Sequence, residues 1–297
     1  MKTTNNINFS TPLGLSSLVA DYDAFIIDLW GVLHNGAVAY PHAIETLQRL
    51  KENGKRTILL SNAPRRTCDL VQGMQGMGLL RSLYDDILSS GEATHCEIRS
   101  RRDSFYAALG RHCWHLGPNR DRSVFDSLDV ELVATPEEAT FVVNTGPWAF
   151  HETVGDYERY LLRCRQRNLP MVCANPDHVV MLSEGQIAIC AGALAARYEE
   201  LGGRVSYRGK PDPAIYEMCL ERLGQPDRCK VLAIGDALET DIAGAAAAHI
   251  DSAFVTCGLH SRELGTAYNE QAEPEKVSAL LARHHLHCRT VLPAFAW

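Results

Sequence analysis

The stretch that decides the fold is FIIDLWGVL, residues 25–33. Its first three residues are apolar and are followed directly by the carboxylate of Asp28. An unbroken apolar run of this kind is typical of a strand that is buried on both faces of a parallel sheet. The polar residue after the run would lie at the carboxyl end of the strand, where open α/β sheets bind their ligands.

Two further segments repeat this pattern of an apolar run followed by polar residues. The run TILL at residues 57–60 leads into Ser61 and Asn62, and the run VLAI at residues 231–234 leads through one glycine into Asp236. Because the carboxyl ends of parallel strands meet at one edge of a sheet, we expect these polar side chains to lie close to the aspartate of the first run.

A helix is predicted between the first two strands. Pro41 lies near its start, Ile44, Leu47 and Leu50 form one apolar stripe, and Gly54 follows just past its end. A strand, a helix and a second parallel strand make a βαβ unit, whose crossover is almost always right-handed. The first part of the chain is therefore predicted to form a parallel α/β sheet.

Start and stop signals of a helix also occur late in the chain. Asp212 is a suitable N-cap, Pro213 fits the first position of a helix, and Gly224 fits its stop. Further on, His249 stands where a helix stop would normally have glycine. Histidine tolerates the left-handed conformation better than most residues, so we predict that local geometry explains its presence.

The segment between these two blocks has strands and a helix of its own. Strands are predicted at residues 140–144 and 171–175, with a helical stretch at about 157–167 between them. This alternation predicts a second α/β domain inserted into the first. The predicted division is a core domain made of residues 1–102 and 204–297, interrupted by a smaller cap domain at residues 103–203.

Composition places the chain among globular proteins. It has 297 residues, of which 46% are hydrophobic and 22% are charged. The net charge of −7 speaks against nucleic acid as the main partner, because phosphate backbones favour basic surfaces. The ten cysteines include no C-x-x-C pair and are expected to be reduced. The sequence contains no signal-peptide pattern and no apolar run of about 18 residues, so we expect a cytoplasmic protein without a membrane partner.

The residues at the predicted strand ends favour phosphoryl transfer, in which the protein mainly positions groups and neutralises charge. A carboxylate can attack phosphorus and form an aspartyl-phosphate. Two anions must then approach each other, so the site needs a magnesium ion on oxygen ligands, a lysine, and hydroxyl or amide donors. That set is supplied by Asp28, Asp236, Lys210, Ser61 and Asn62.

Four motifs, in this order, resemble those of the haloacid dehalogenase superfamily. They are DLWGVL at 28–33, LSN at 60–62, GKP at 209–211, and GD at 235–236 with DIAG at 241–244. The insertion between the second motif and the lysine, and the run ANPD at 174–177 followed by GAL at 192–194, are similar to the NagD-like branch. That branch includes nucleotide and pyridoxal phosphate phosphatases. The resemblance spans nearly the whole chain and implies a doubly wound, Rossmann-like parallel-sheet core with an inserted α/β cap.

The resemblance also implies a role for each matching residue. Asp28 would attack phosphorus, Ser61 and Lys210 would hold the phosphate, and Asn62 would orient the nucleophile or the substrate. The magnesium ligands would be Asp28, the backbone carbonyl of Trp30, Asp236 and, in the outer shell or through water, Asp241. The candidate substrate contacts are His34, Asn175, Asp177 and His178.

The chain departs from the family pattern two residues after the nucleophile. Family phosphatases usually have a second aspartate there, which protonates the leaving group and then activates water, whereas this chain has Trp30. An indole does not exchange a proton at neutral pH, and acid–base help is worth about 10²- to 10⁴-fold in rate. Three outcomes stay open. The leaving group needs no proton, as in an acyl or enol phosphate; His34 or His178 replaces the aspartate; or the protein binds phosphate with little turnover.

We therefore expect a magnesium-dependent phosphatase of a small phosphorylated metabolite, of the sugar phosphate, nucleotide or pyridoxal phosphate type. A homodimer is left open. One alternative is a phosphometabolite-binding protein with vestigial catalysis, motivated by Trp30. The other is a dehalogenase-like hydrolase, because dehalogenases of the superfamily also place an aromatic residue at this position. Against dehalogenation stand Asp236 and Asp241, whose paired charge is better explained by a metal.

Overall fold

The computed structural model describes residues 8–182 and 185–297. The strands are β1 (Ala24–Asp28), β2 (Arg56–Ser61), β3 (Asp86–Ser89), β4 (His112–Leu116), β5 (Glu131–Val133), β6 (Phe141–Asn144), β7 (Met171–Cys173), β8 (Val179–Met181), β9 (Ile187–Ile189), β10 (Val205–Tyr207), β11 (Val231–Gly235), β12 (Asp251–Val255) and β13 (Thr290–Leu292). The α-helices are α1 (Ala43–Glu52), α2 (Thr67–Gly76), α3 (Ser90–Ser100), α4 (Ser104–Ala107), α5 (Val154–Gln166), α6 (Ala191–Glu200), α7 (Pro213–Arg222), α8 (Ala243–Ala247), α9 (Ser261–Leu264) and α10 (Pro274–Arg283). Short 3₁₀ helices lie at Leu15–Ser17, Arg81–Leu83, Asn119–Phe125 and Arg228–Lys230, and a π-helical turn lies at Leu238–Ile242.

The chain divides into two compact units. Unit 1 consists of Met1–Ser61, Val71–Ile87 and Lys210–Trp297, and unit 2 consists of Asn62–Leu70 and Leu88–Gly209. These limits differ from the predicted cap at residues 103–203, because unit 2 also contains α3 and β10. β10 is part of unit 2 since it pairs in parallel with β7.

Unit 1 is built on a six-stranded sheet in the order β13-β12-β11-β1-β2-β3. β1 pairs in parallel with β2 on one side and with β11 on the other, and β11, β12 and β13 continue in parallel. The chain thus adds strands on one side of β1 first and returns later to add strands on the other side. The order reverses between β1 and β11, and this switch point is where α/β sheets bind ligands. The predicted doubly wound α/β class is confirmed.

The central strands of unit 1 are apolar because both of their faces are covered. Every residue of β1 and β11 is buried, and β2 exposes only its first residue, Arg56. Phe25 and Ile27 are 0% exposed. Burying a side chain of this size contributes about 1.5–3 kcal/mol to folding, so these strands fix the sheet and the positions of the polar residues at their ends.

The predicted helix signals of unit 1 have the expected geometry. The Asp212 side chain accepts a hydrogen bond of 2.9 Å from Ala214 N at the start of α7. Gly224, after the end of α7, has a φ of +77°. His249, after α8, has a φ of +57°, which confirms the predicted left-handed backbone at this residue.

Unit 2 contains a parallel sheet of five strands in the order β10-β7-β6-β4-β5. Alternate residues of β6 belong to different apolar clusters. Phe141 and Val143 pack in the cluster of Ile98 and Tyr106, whereas Val142 packs in the cluster that includes residues of α5 and α6. Both faces of this sheet are therefore covered. An antiparallel pair, β8 and β9, completes unit 2.

Residues 62–70 are attached to unit 2 by side chains. Arg66 donates from Nε and Nη2 to the carboxylate of Glu92, at 2.6 and 3.0 Å. The hydroxyl of Ser89 donates to the carbonyl of Arg65 at 2.7 Å. The segment that follows β2 thus belongs to the second unit through charged and polar contacts, which no periodic pattern in the sequence indicates.

In the described part of the chain, no helix is both long enough and apolar enough to cross a membrane. All ten cysteines lie among the described residues, and none of them forms a disulfide bond. Six of them are buried, and burial raises the pKa of such thiols, to about 12 for Cys219. These buried thiols are therefore structural groups of low reactivity.

Candidate active site

Polar side chains lie at three strand ends of unit 1, and Lys210 contacts one of them. Asp28 is the last residue of β1, Ser61 is the last residue of β2, and Asp236 follows β11 directly. Asp241 lies in the π-helical turn, a rare geometry that is frequent at functional sites. All five side chains are buried, with exposed fractions of 7% or less. The structure thus brings together Asp28, Asp236, Asp241 and Lys210, which the strand ends and motifs predict, and Ser61 ends the strand that pairs with β1.

The Lys210 ammonium group connects two of the carboxylates. It donates to Asp28 Oδ1 at 2.5 Å and to Asp241 Oδ1 at 2.7 Å. A longer contact of 3.4 Å reaches the carbonyl oxygen of Leu60. Charge-assisted hydrogen bonds in a buried site are stronger than those in water, so Lys210 fixes both carboxylates at the end of β1.

Backbone groups hold Asp236 in place. Its Oδ2 accepts a hydrogen bond of 2.6 Å from Leu259 N. Two glycines leave room for the carboxylate, since a Cβ would lie 2.1 Å from Asp236 Oδ2 at Gly31 and 2.0 Å from it at Gly258. Gly31 also has a φ of +89°, which favours glycine independently of the space. A side chain at either glycine would displace the carboxylate.

The carboxylates of Asp28, Asp236 and Asp241 fit a divalent cation. One oxygen from each lies within 4.8 Å of the others. Burial raises the pKa of Asp28 well above its ordinary value, Lys210 lowers it, and the charges of Asp241 and Asp236 raise it further. Three carboxylates against one ammonium leave excess negative charge, which a cation would offset. Carboxylate oxygens are hard ligands of the kind that Mg²⁺ prefers.

Trp30 is held by the loop that follows Asp28. Gly31 N donates to the carbonyl of His34 at 2.9 Å. The indole meets the His34 ring edge-on, with ring centroids 5.8 Å apart, and it covers Gly36, where a Cβ would lie 2.1 Å from the indole. His34 is 7% exposed, and its Nδ1 accepts a hydrogen bond of 3.1 Å from Gly36 N. Contacts within this loop therefore hold the Trp30 indole and the His34 ring in place.

The predicted cap residues lie in unit 2, on the loop between β7 and β8. Asn62 Nδ2 donates to Asp177 Oδ1 at 2.8 Å, and Asp177 N donates to Asn175 Oδ1 at 3.0 Å. The carbonyl of His178 accepts a hydrogen bond of 2.9 Å from Cys190 N. The structure thus joins Asn62 to the loop of Asn175 and Asp177, a connection that the sequence does not indicate.

Comparison with known proteins decides the family. A family model described as haloacid dehalogenase-like hydrolase matches residues 25–131, and one described as HAD-hydrolase-like matches residues 207–283. A crystal structure described as a hydrolase of the haloacid dehalogenase-like family from Brucella suis 1330 is 36% identical, with a TM-score of 0.81. The match covers 96% of this chain and 100% of the Brucella chain. The chain belongs to the haloacid dehalogenase-like hydrolases.

Two relatives support the NagD-like branch for this hydrolase. Chronophin of Mus musculus is 28% identical over 261 residues, which cover 86% of this chain and 87% of chronophin. Ribonucleotide monophosphatase NagD of Escherichia coli K12 is 25% identical over 238 residues, which cover 80% of this chain and 88% of NagD. The family predicted from the four motifs is confirmed, and with it the class of enzyme, a hydrolase.

Sequence reasoning missed two residues of the candidate site, Gly258 and Leu259. Both residues follow β12, another strand of the same sheet. Gly258 leaves the room that the Asp236 carboxylate occupies, and Leu259 N donates a hydrogen bond to that carboxylate. Asp28 is found by looking for polar side chains at the carboxyl ends of strands. Gly258 and Leu259 also follow a strand end, but they act through their backbone. A search limited to reactive side chains passes over such residues.

Proposed function

We propose that this hydrolase is a magnesium-dependent phosphatase of a small phosphorylated metabolite. The observation that carries the proposal is the buried cluster of Asp28, Asp236, Asp241 and Lys210 at the switch point of the unit 1 sheet. It combines a carboxylate nucleophile with a cation site and a fixed positive charge, which is the set that phosphoryl transfer needs. The name of NagD, a ribonucleotide monophosphatase, supports a phosphate monoester as substrate.

The proposed reaction starts at Asp28. Lys210 favours its ionised form, which is the form that can attack phosphorus. As a carboxylate oxygen of Asp28 bonds to phosphorus, the bond between phosphorus and the substrate oxygen breaks and the leaving group departs with that oxygen. Water then attacks the aspartyl-phosphate, which releases inorganic phosphate and restores the Asp28 carboxylate. Lys210 and the Ser61 hydroxyl hold phosphate oxygens, and Asn62 orients the nucleophile or the substrate.

Magnesium would be held by Asp28, Asp236 and the backbone carbonyl of Trp30, with Asp241 in the outer shell or bonded through water. When bound, it would offset the negative charge of the phosphate and of the attacking carboxylate. Lys210 then contributes orientation as well as charge, because it already bonds Asp28 and Asp241.

Recognition of the rest of the substrate is proposed for His34 and for the loop of Asn175, Asp177 and His178. Asp177 has a second role in this proposal, because its carboxylate holds the Asn62 amide. Closure of such a cap over a site excludes water and adds contacts to the part of the substrate that does not react.

Asp28→Asn tests the proposal. The amide keeps the size of the side chain but cannot attack phosphorus, so magnesium-dependent phosphate release from 4-nitrophenyl phosphate should fall by about 10³-fold or more. The matched control is Asp23→Asn, which changes an exposed carboxylate just before the same strand and should leave the rate unchanged. Full activity of Asp28→Asn would refute the nucleophile assignment.

Trp30 also favours a dehalogenase-like alternative, since it is an aromatic residue two positions after the nucleophile. The three clustered carboxylates favour the phosphatase, because dehalogenation by an aspartate does not use a metal. Halide release from a haloacid in the presence of a chelator, without phosphate release in magnesium, would reverse this choice. Magnesium-dependent binding of phosphate compounds without any turnover would instead indicate a binding protein.

A further inference from the structure

Two segments of unit 1 hold the Asp236 carboxylate. The first segment, residues 29–42, lies between β1 and α1 and contains Gly31, where a Cβ would lie 2.1 Å from Asp236 Oδ2. The second segment, residues 256–273, lies between β12 and α10 and contains Leu259, whose N–H donates to the same oxygen at 2.6 Å. Neither segment belongs to a strand of the sheet, so the position of the carboxylate depends on the contacts that fix the two segments.

The Tyr268 ring joins the second segment to the first. It stacks on the Tyr40 ring, with centroids 5.0 Å apart and planes at 15°, and on the His42 ring, with centroids 6.3 Å apart and planes at 12°. Both separations lie within the range of about 4.5–7 Å at which aromatic rings attract one another. All three residues are half-buried. Because near-parallel contacts with two rings restrict both the distance and the tilt of the third ring, Tyr268 fixes the two segments relative to each other.

Hydrogen bonds connect the part of the chain around Tyr268 to the strand end that leads to Leu259. The Thr266 hydroxyl donates to the carbonyl of Thr256 at 3.3 Å, and Thr266 N donates to the carbonyl of Ser261 at 3.0 Å. Thr256 directly follows β12 and precedes Leu259 in the same stretch of chain. A displacement of the Tyr268 ring would therefore be transmitted to the N–H that holds the carboxylate.

A second set of hydrogen bonds connects Tyr40 to Gly31. Tyr40 N donates to the carbonyl of Leu33 at 2.9 Å, and Leu33 N donates to the carbonyl of Leu29 at 2.8 Å. Gly31 N, between them, donates to the carbonyl of His34 at 2.9 Å. These bonds close the stretch into one turn, so the Tyr40 ring is attached to the turn that leaves room for the carboxylate.

We propose that Tyr268 is a positioning residue for the magnesium site, because its ring holds the two segments at the spacing at which they fix the Asp236 carboxylate. The inference rests on the proposed function, since it concerns the cation that this function requires. It adds a residue that lies outside the four sequence motifs. In this role Tyr268 acts through Asp236.

Loss of the ring should lower the affinity for Mg²⁺ more than it lowers the turnover of the enzyme that is saturated with Mg²⁺. Without the stack, the two segments no longer hold the carboxylate in place beforehand, so binding of the cation must also order it. Removal of a group that orients a metal ligand typically lowers metal affinity by about 10- to 100-fold. Asp28 and Lys210 bond each other directly, at 2.5 Å, so the nucleophile keeps its own support.

Variants of Tyr268 test the proposal. The first measurement is the Kd for Mg²⁺ in the absence of substrate, by isothermal titration calorimetry of the full chain. Tyr268→Ala should raise this Kd by about tenfold, and Tyr268→Phe, which keeps the ring, should leave it within about twofold of the wild-type value. The second measurement is phosphate release from 4-nitrophenyl phosphate at increasing Mg²⁺ concentration. For Tyr268→Ala the half-maximal rate should need about tenfold more Mg²⁺, whereas kcat at saturating Mg²⁺ should stay within about threefold of the wild-type value.

The matched control is Tyr160→Ala in unit 2. Tyr160 is also half-buried and also stacks on an aromatic ring, that of Trp114, with centroids 5.9 Å apart. Its loss should leave the Kd for Mg²⁺ unchanged. Circular dichroism and the melting temperature show whether each variant is folded at the temperature of the titration. Where Tyr268→Ala does not fold, Tyr268→Leu, which keeps the apolar bulk without a flat ring, takes its place and should raise the Kd in the same direction.

The outcomes separate the two proposals. A folded Tyr268→Ala with the wild-type Kd for Mg²⁺ would overturn the inference and leave the proposed function standing. An equal rise in Kd with Tyr268→Phe would also overturn it, since the loss would then follow the hydroxyl group. An equal rise with Tyr160→Ala would overturn it as well, because the loss would then reflect general destabilisation. A wild-type protein that binds no Mg²⁺, or that releases phosphate equally well without it, would overturn the proposed magnesium-dependent function itself.

Discussion

Lys210 sets the charge balance at the end of β1. It is 3% exposed and bonds two carboxylates, with a third carboxylate, that of Asp236, in the same cluster. A buried charge that loses its partner is costly, because neither water nor a counter-ion replaces the lost interaction. At the residue scale, the stability of the site and its affinity for a cation are therefore coupled through one side chain.

Lys210→Met should lower the melting temperature in the absence of divalent cations, since breaking a buried ion pair costs about 3–5 kcal/mol. Mg²⁺ should raise the melting temperature of this variant more than that of the wild type, because the cation then neutralises carboxylates that have lost the ammonium group. Thermal melts with and without Mg²⁺ measure both effects. The control is Lys230→Met, which removes an ammonium group that contacts a backbone carbonyl, that of Asp21. Equal Mg²⁺ shifts in Lys210→Met and wild type would contradict the coupling.

Asp121 in unit 2 should make stability depend on pH. Burial raises the pKa of this carboxyl group from 3.8 to about 6, although the Arg120 and Arg65 guanidinium groups lower it. Between about pH 4 and 6 the folded state binds a proton that the unfolded state does not, so this group's contribution to stability falls as the pH rises through that window.

Asp121→Asn removes this titration. Relative to wild type, the variant should gain up to about 3 kcal/mol in unfolding free energy between pH 4 and pH 7, and little of that gain should be present at pH 4. Denaturant unfolding at several pH values measures the difference. The control is Asp129→Asn, which changes an exposed carboxylate of the same unit. A difference between Asp121→Asn and wild type that does not change with pH would contradict the raised pKa of Asp121.

At the scale of the elements, the sequence predicts the strands that are long and apolar and the helices that are marked by cap residues. β1, β2 and β11 are unbroken buried runs, and α7 has its cap and stop residues in the sequence, so their positions follow from local rules. β8 and β10 have three residues each, all half-buried, which is shorter than the about four to eight residues over which a strand pattern can be recognised. The attachment of residues 62–70 to unit 2 depends on the hydrogen bonds between Arg66 and Glu92. These residues are distant in sequence and belong to no periodic pattern, so the attachment could not be predicted.

The stop of α8 offers a test of local backbone strain. His249 has a φ of +57°, and a non-glycine residue pays about 1 kcal/mol for this conformation. His249→Gly should therefore raise the unfolding free energy by up to about 1 kcal/mol, the gain being reduced by the greater freedom of glycine in the unfolded chain. His249→Val, a β-branched residue at the same exposed position, should lower it. Denaturant unfolding of both variants measures the effect, and a gain from valine would contradict the assignment of strain.

At the scale of the whole molecule, the limits of the two units fall beside residues of the candidate site. Ser61 is the last residue of a unit 1 segment and Asn62 opens the next segment, in unit 2. Likewise Gly209 ends unit 2, and Lys210 resumes unit 1. The strand-end rule finds Ser61, and the family motif finds Lys210, but the division between units depends on contacts distant in sequence. A prediction from sequence therefore finds the chemistry of the site more readily than the limits of the units.

Asn62 and Asp177 should act as one functional pair. Asp177 accepts a hydrogen bond of 2.8 Å from the Asn62 amide, and Asn62 directly follows Ser61 in the chain. Asn62→Ala and Asp177→Ala should each lower kcat/KM for phosphate release. The double variant should lose no more than about the larger single loss, since both changes remove the same interaction.

The control for this cycle is Asp129→Ala, an exposed carboxylate of unit 2 whose removal should leave kcat/KM unchanged and should combine additively with Asn62→Ala. Fully additive losses for Asn62→Ala and Asp177→Ala would show that the two side chains act separately. Asp177 would then contribute through the substrate alone.

The strand order of unit 1 also has a consequence for the growing chain on the ribosome. β1 and β2 are synthesised early, but β11, the other neighbour of β1, follows only after the whole of unit 2. Unit 2 therefore has all its strands available for folding while one edge of β1 still has no partner. An unpaired apolar strand readily pairs with the wrong chain. During synthesis, the interval between Asp28 and Val231 is thus the period in which this protein most needs protection from aggregation.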